Sequence, residues 1–302
     1  MFWENIKEAI TSISSNKMRS LLTMLGIIIG ISSVIIITTI GGSIQSTLTA
    51  TMNSLGGNMV QAYVEARYPE NDEDWATWEQ PDMTDSDYVT QDMIDGLIEK
   101  YPDEVTGVAA QNYLGSGTIK DDADSKNYAN VNIDGITPEY LEYMKLEMHA
   151  GRNLTKADNQ GKKRVCLIAD TMAERYFAGK DPIGETLSVA TSDGGIFDFV
   201  VVGVYVYNQA LFGKVDTSIP EKDRVTELMI PLQTCFKLQG TDRTGYDYFN
   251  LMIDPLADVN QATTDVLSYF DEMYANNKNF HVSAYNMASD LGMINTVLNV
   301  IT

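Results

Sequence analysis

Apolar and polar positions alternate with different periods along the chain, and each change of period predicts a change of element. Residues 1–16 place Phe2, Ile6, Ala9, Ile10 and Ile13 at helical spacing, with Glu4, Lys7 and Glu8 elsewhere. That is the pattern of an amphipathic helix on a membrane surface, with Trp3 suited to the interfacial belt. Leu21 to Ile40 is then almost wholly aliphatic, and no Asp, Glu, Lys or Arg occurs from Ser20 through Val64. Twenty such residues make a helix of about 30 Å, the thickness of a bilayer's hydrocarbon core. A cytoplasmic amphipathic helix over 1–20 and a transmembrane helix over 21–42 are predicted. Lys17 and Arg19 on the N-terminal flank place that end in the cytoplasm and the main domain outside. A cleaved signal is disfavoured, because the run exceeds an ordinary h-region and continues into GGSIQSTLT without a small-residue cleavage site. Within the span, Gly26 and Gly30 form a GxxxG that lets another helix approach closely.

Beyond Ile40 one side turns polar. Ile44, Leu48, Met52 and Leu55 form a single apolar stripe, so 43–57 reads as a stalk helix that extends the span until Gly56-Gly57 stops it. Asn58 to Glu65 alternates as a strand, Thr90 caps a helix to Lys100, and Val105 to Tyr113 resumes extended. The same order returns late in the chain. Phe249 to Ile253 is a strand, and Asp258 to Asn276 is a helix with Val259, Ala262, Val266, Phe270 and Met273 on one face. Phe280, Val282 and Ala284 then alternate in a last strand. Two βαβ-like porter halves, 58–137 and 246–286, are thus predicted around a β-rich insert over 138–245, an α+β architecture. Around and within the insert, Tyr128 to Ile136 turns Val131 and Ile133 inward, and Thr137-Pro138 starts a short helix. Arg164 to Ala169 is a buried strand, and Thr171 with Glu174 predicts a capping box for a helix ending at Gly179. Thr186 to Ala190, Ile196 to Tyr207 and Glu227 to Ile230 are further strands. The stretch 287–302 reads as the first turns of a second span.

Charge narrows the function. The 302 residues carry 42 acids against 21 bases, and the first 64 residues sum to +1, so residues 65–302 hold −22. Nucleic acid is excluded as a partner, since its phosphates need Lys and Arg. Acids concentrate in Arg67 to Tyr88, where Glu70, Asp72, Glu73, Asp74, Glu79, Asp82, Asp85 and Asp87 accompany Trp75 and Trp78. Such a loop suits a cationic or amphipathic peptide through charge and cation–π contact; a solvated loop is the competing reading. A second long loop, Asn208 to Arg224, carries an apolar tip with Leu211 and Phe212. Cys166 and Cys235 lie in apolar settings and read as two buried thiols rather than a bridge. His149 and His281 are the only histidines, so a zinc site is not expected. Asp122-x-Asp124 opens like a calcium loop, but Lys126 and Asn127 occupy the third ligand and glycine positions. No Ser/His/Asp or Cys/His set stands out, and neither a catalytic residue nor a cofactor is expected on this chain.

ENIKEAITSISSNKMRSLLTMLGIIIGISSVI resembles the opening of MacB-like (FtsX-superfamily) permeases of ABC transporters, in which an Asn-Lys-x-Arg-Ser segment precedes a Leu-Thr-x-Leu-Gly-Ile-x-Ile-Gly span. LGGN at Leu55 to Asn58, VNIDGITPEYL at Val131 to Leu141, AGRNLTKAD at Ala150 to Asp158, RYFAGKDPIGETL at Arg175 to Leu187 and FVVVGVY at Phe199 to Tyr205 follow in the same order. The resemblance implies a membrane permease working as a dimer, three further spans, and mechanotransmission driven by ATP and Mg on a separate ABC ATPase subunit. No G-x-x-x-x-G-K-[ST] occurs here, and Gly161-Lys162 and Gly179-Lys180 lack its spacing. Export of a peptide, antibiotic or lipid-linked substrate is the leading expectation. The alternative is a membrane-anchored regulatory or sensing module that binds an extracellular adaptor, protein or peptide, as cell-division relatives in the superfamily do.

Overall fold

The computed structural model describes residues 2–15, 17–54, 59–69, 71, 75–120, 127–212, 218–241 and 243–286. Leu55, Gly56-Gly57, Asp122-x-Asp124 and the predicted second span over 287–302 lie outside the described residues. One compact unit contains the chain up to Asn53, and a second runs from Ser54 to Ala288.

The first unit is helical. Helix α1 spans Phe2–Ser15 and α2 spans Lys17–Ser54, 38 residues or about 57 Å. Lys17–Ser43 is long and apolar enough to cross a membrane, and none of its apolar window is buried within the chain. Several of its hydroxyl side chains satisfy themselves on the helix: Ser33 Oγ donates to Ile29 O at 2.7 Å and Thr38 Oγ1 to Val34 O at 3.0 Å. Self-satisfied polar groups are what a hydrocarbon surrounding demands. The backbone stays helical across the predicted junction of span and stalk, so Ile44, Leu48 and Met52 continue the same helix.

The second unit begins β1 (Met59–Ala66), α3 (Gln91–Lys100), β2 (Val105–Ala109), β3 (Gln111–Lys120), β4 (Tyr128–Ile136), α4 (Tyr140–Tyr143) and β5 (Met148–Gly151). It continues α5 (Lys156–Gln160), β6 (Val165–Ala169), α6 (Asp170–Phe177), β7 (Thr186–Thr191), β8 (Ile196–Tyr205), α7 (Gln209–Phe212) and β9 (Val225–Pro231). Helix α8 (Leu232–Leu238), β10 (Tyr248–Ile253), α9 (Val259–Met273) and β11 (Phe280–Asn286) complete it.

An antiparallel sheet of order β11-β1-β10-β2 joins early and late strands, with Ala62 opposite both Phe249 and Ala284. Helices α3 and α9 pack against it. Both start as their caps dictate: Thr90 Oγ1 accepts from Met93 N at 3.2 Å, and Asp258 Oδ1 from Asn260 N at 2.9 Å. Ala262, Val266 and Phe270 of α9 are buried, and the Phe270 ring meets Phe249 edge to face at 5.9 Å. Met273, expected on the same face, is instead 47% exposed, at the last residue of the helix.

The other seven strands run β5-β8-β6-β9-β4-β3-β7, and β7 also pairs with β8. The sheet therefore closes into a barrel with β5 appended. Ten-residue β8 makes this possible, pairing with β7 over Ile196 to Val200 and with β6 from Val200 onward. Val131, Ile133, Val189, Phe199, Val201, Cys166 and Leu228 are fully or almost fully buried in its core. Cys166 and Cys235 are both buried free thiols.

Three expectations need correction. Val105 to Tyr113 is not one strand: β2 belongs to the open sheet and β3 to the barrel, with Ala110 between. Thr137 fixes this crossing, its Oγ1 accepting from Ala110 N at 3.0 Å and donating to Val108 O at 3.2 Å. Sheet membership thus changes at Ala110 rather than at 137/138, so β3 and β4, placed in the first porter half, are barrel strands. Thr171 does not cap α6, which already begins at Asp170, whose Oδ1 accepts from Thr171 N at 2.7 Å and Tyr207 N at 3.0 Å. That helix ends at Phe177 rather than Gly179.

Candidate functional site

The residues singled out in the sequence fall on separate elements. Lys17 and Arg19 are exposed at the start of α2, and a Cβ built on Gly26 or Gly30 would meet nothing within 4 Å, so the GxxxG face is open. Trp75 and Trp78 come together with Tyr68, their rings 5.3 to 5.6 Å apart, and Trp78 leans on the core beneath the open sheet. Glu70, Asp72, Glu73 and Asp74 of the acidic loop lie outside the described residues. Leu211 and Phe212 point to the barrel instead of outward. Phe212 lies 6.2 Å from the Tyr205 ring and 5.5 Å from Tyr207, and both residues pack on the barrel core. Among the described residues no group of three or more His, Cys, Asp or Glu is arranged to hold a metal.

The segment AGRNLTKAD is organised around Asp158, whose side chain is fully buried. Its carboxylate accepts from Thr155 N at 3.0 Å and Thr155 Oγ1 at 2.6 Å, closing a capping box on α5. Arg152 Nη1 reaches it at 2.7 Å and Lys163 Nζ at 3.1 Å. Burial alone would raise its pKa. The hydrogen bonds from Arg152, Thr155 and Lys163 outweigh that and hold the group well below the usual carboxylate range.

A second carboxyl behaves in the opposite way. Glu227 on β9 stands beside Asp134 on β4, and burial followed by the hydrogen bond and charge of Asp134 pushes it up to about 7. Asn132 Nδ2 donates to Glu227 Oε1 at 3.3 Å, Ser116 Oγ to Asn132 Oδ1 at 3.0 Å, and Ser116 shares a 2.6 Å hydrogen bond with the exposed Tyr113 hydroxyl. A continuous polar chain thus runs along the barrel wall from solvent to the carboxyl pair. The sequence signal was an acid inside each apolar strand, IDGI and TELMI. Between pH 4.5 and 7 the folded chain holds a proton that the unfolded chain has released, so stability falls as pH rises across that window. Glu227→Gln is expected to remove this slope and to stabilise the chain above pH 7 by about 1–2 kcal/mol, solvent screening included. Thermal unfolding across the pH range checks this, and an unchanged slope counts against it.

Residues 20–269 match the MacB-like periplasmic core domain family. The uncharacterized ABC transporter permease YknZ of Bacillus subtilis is 25% identical over 301 residues, covering 99% of this chain and 68% of YknZ. The macrolide export ATP-binding/permease protein MacB of Neisseria gonorrhoeae is 25% identical over 221 residues, which is 71% of this chain but 30% of that protein. In fold, the crystal structure of the periplasmic region of MacB from Actinobacillus actinomycetemcomitans aligns with a TM-score of 0.51 at 16% identity, over 84% of this chain and 97% of that one. With a family match over most of its length and an apolar helix ahead of a two-sheet domain, the chain belongs to the MacB-like periplasmic core domain family.

Proposed function

We propose that this chain is the permease-side subunit of an ABC-type export system, working by mechanotransmission with a separate ATPase subunit. The observation that carries the reading is α2, a single helix that is apolar over Lys17–Ser43 and stays helical to Ser54, directly ahead of the two-sheet unit in the chain. A stiff helix can pass displacement along its length, whereas a flexible linker absorbs it. Lys17 and Arg19 set the N-terminus in the cytoplasm, and the open Gly26 and Gly30 face receives a helix of a second permease chain. The name of the MacB relative supports an exported antibiotic, and peptides or lipid-linked molecules belong to the same proposal.

The test is ATP hydrolysis. The chain reconstituted with a candidate partner ABC ATPase subunit is expected to raise the hydrolysis rate and to make it respond to substrate. A rate equal to that of the ATPase alone overturns the transport reading.

A further inference from the structure

Where the open sheet meets the barrel, a cleft of about 320 Å³ is lined by side chains of opposite charge. Helix α3 brings Asp92 and Asp95 from the open-sheet side, and the segment of α5 brings Lys156 and Lys162 from the barrel side. Lys156 is already engaged with Glu139 at 3.6 Å. Lys162 is half-buried and has no carboxylate within ion-pair distance among the described residues.

Lys162 is also held in an unusual backbone conformation. Helix α5 ends in a Schellman arrangement, with Lys163 N bonded to Asp158 O at 3.0 Å and Lys162 N to Asn159 O at 3.1 Å. The left-handed position of that motif ordinarily takes glycine. Here the glycine, Gly161, stands one residue early with φ −75°, and Lys162 takes φ 48°. A residue with a Cβ is disfavoured there, so the conformation that sets this ammonium at the cleft works against local stability.

Gln233 of α8 supplies an independent observation. It lines the same cleft and is 8% exposed; its Nε2 donates to Thr244 O at 2.8 Å, while its Oε1 is buried without a partner. Buried acceptors are seldom left unmet, and this one asks for an N–H donor.

We propose that this cleft binds a small zwitterion, an amino acid or dipeptide with free ends, its carboxylate on Lys162 and its ammonium between Asp92, Asp95 and Gln233 Oε1. The volume lies at the small end of ligand sites, in keeping with a small occupant. Such an occupant would engage both sheets at once. The inference stands apart from the permease reading, since it depends on the outer unit alone.

The test uses the full chain in detergent micelles and calorimetric titration with L-alanyl-L-alanine, N-acetyl-L-alanyl-L-alanine and L-alanyl-L-alaninamide. The free dipeptide is expected to bind, and each capped form to bind about tenfold more weakly or worse, having lost one charged end. Lys162→Gly is expected to raise the melting temperature by a few degrees while weakening dipeptide binding about tenfold, and Lys162→Gln to weaken binding without the thermal gain. A lysine with a merely structural role would not move these two readouts in opposite directions. Equal binding of free and capped dipeptides overturns the proposal. So does an absence of binding at millimolar dipeptide, which would leave only two oppositely charged walls attracting each other across the cleft.

Discussion

Asp158→Asn is expected to destabilise the outer unit by about 3 kcal/mol at neutral pH, the scale of a broken buried ion pair. The carboxylate accepts from five donor atoms, and an amide in its place must turn its own N–H group toward at least one of them. Arg152 and Lys163 are about half exposed, so water re-solvates them and keeps the loss at the lower end of that range. The pH dependence is opposite to that of Glu227. Asp158 has a depressed pKa in the folded chain, so its contribution is complete above the ordinary carboxylate value of 3.8 and disappears as pH falls through the folded value. Denaturant unfolding of the two proteins should therefore differ most at neutral pH and converge in acid. A difference that persists in strong acid would mean that shape rather than charge holds α5.

Paired substitution Leu48→Pro and Met52→Pro is expected to abolish permease-dependent stimulation of the partner ATPase. Each proline removes an i to i−4 hydrogen bond and drives its ring against the preceding turn, at about 3 kcal/mol or more per site within a helix. The two cores of the outer unit are built, among the described residues, from Val60 onward, so that unit should keep its own unfolding transition. Hydrolysis measured with and without the permease, beside thermal unfolding, separates the two effects. Stimulation that survives the prolines would reduce α2 to an anchor.

Local chemistry was readable where a residue's role depends on its near neighbours in sequence. The apolar run, the alternation in β1, and the cap at Thr90 each declare an element within a few positions. What stayed hidden depends on pairing at a distance. Nothing in Val105 to Tyr113 marks Ala110 as the residue where the chain passes from one sheet to the other, because both strands are extended and the distinction lies in their partners. Barrel closure is equally silent, since it rests on β8 pairing with different strands along its two halves. The left-handed Lys162 was masked by Gly161, which looks like the natural place for that turn. Close approach is likewise visible only in three dimensions: a Cβ on Gly135 would sit 2.3 Å from Cys235 Cβ, so the absence of a side chain there is what admits α8 to the barrel wall. Trp75 and Trp78 stood out in the sequence as two tryptophans in an acidic loop, but their packing on each other and on Tyr68 was not legible there. That Phe212, read as part of an apolar loop tip, packs on its own barrel was not legible, because an apolar residue in a loop looks the same whether it faces water or its own barrel.

The antiparallel pairing of β1 with β11 has a mechanical consequence. Val60 lies opposite Asn286, so the start of β1 and the end of β11 lie together at one corner of the open sheet. A pull delivered along both would be borne there, by the end of two neighbouring strands, without a load path crossing the barrel. The barrel would then be carried as cargo on that corner, reoriented as a whole while its closed ring of hydrogen bonds remains unstretched.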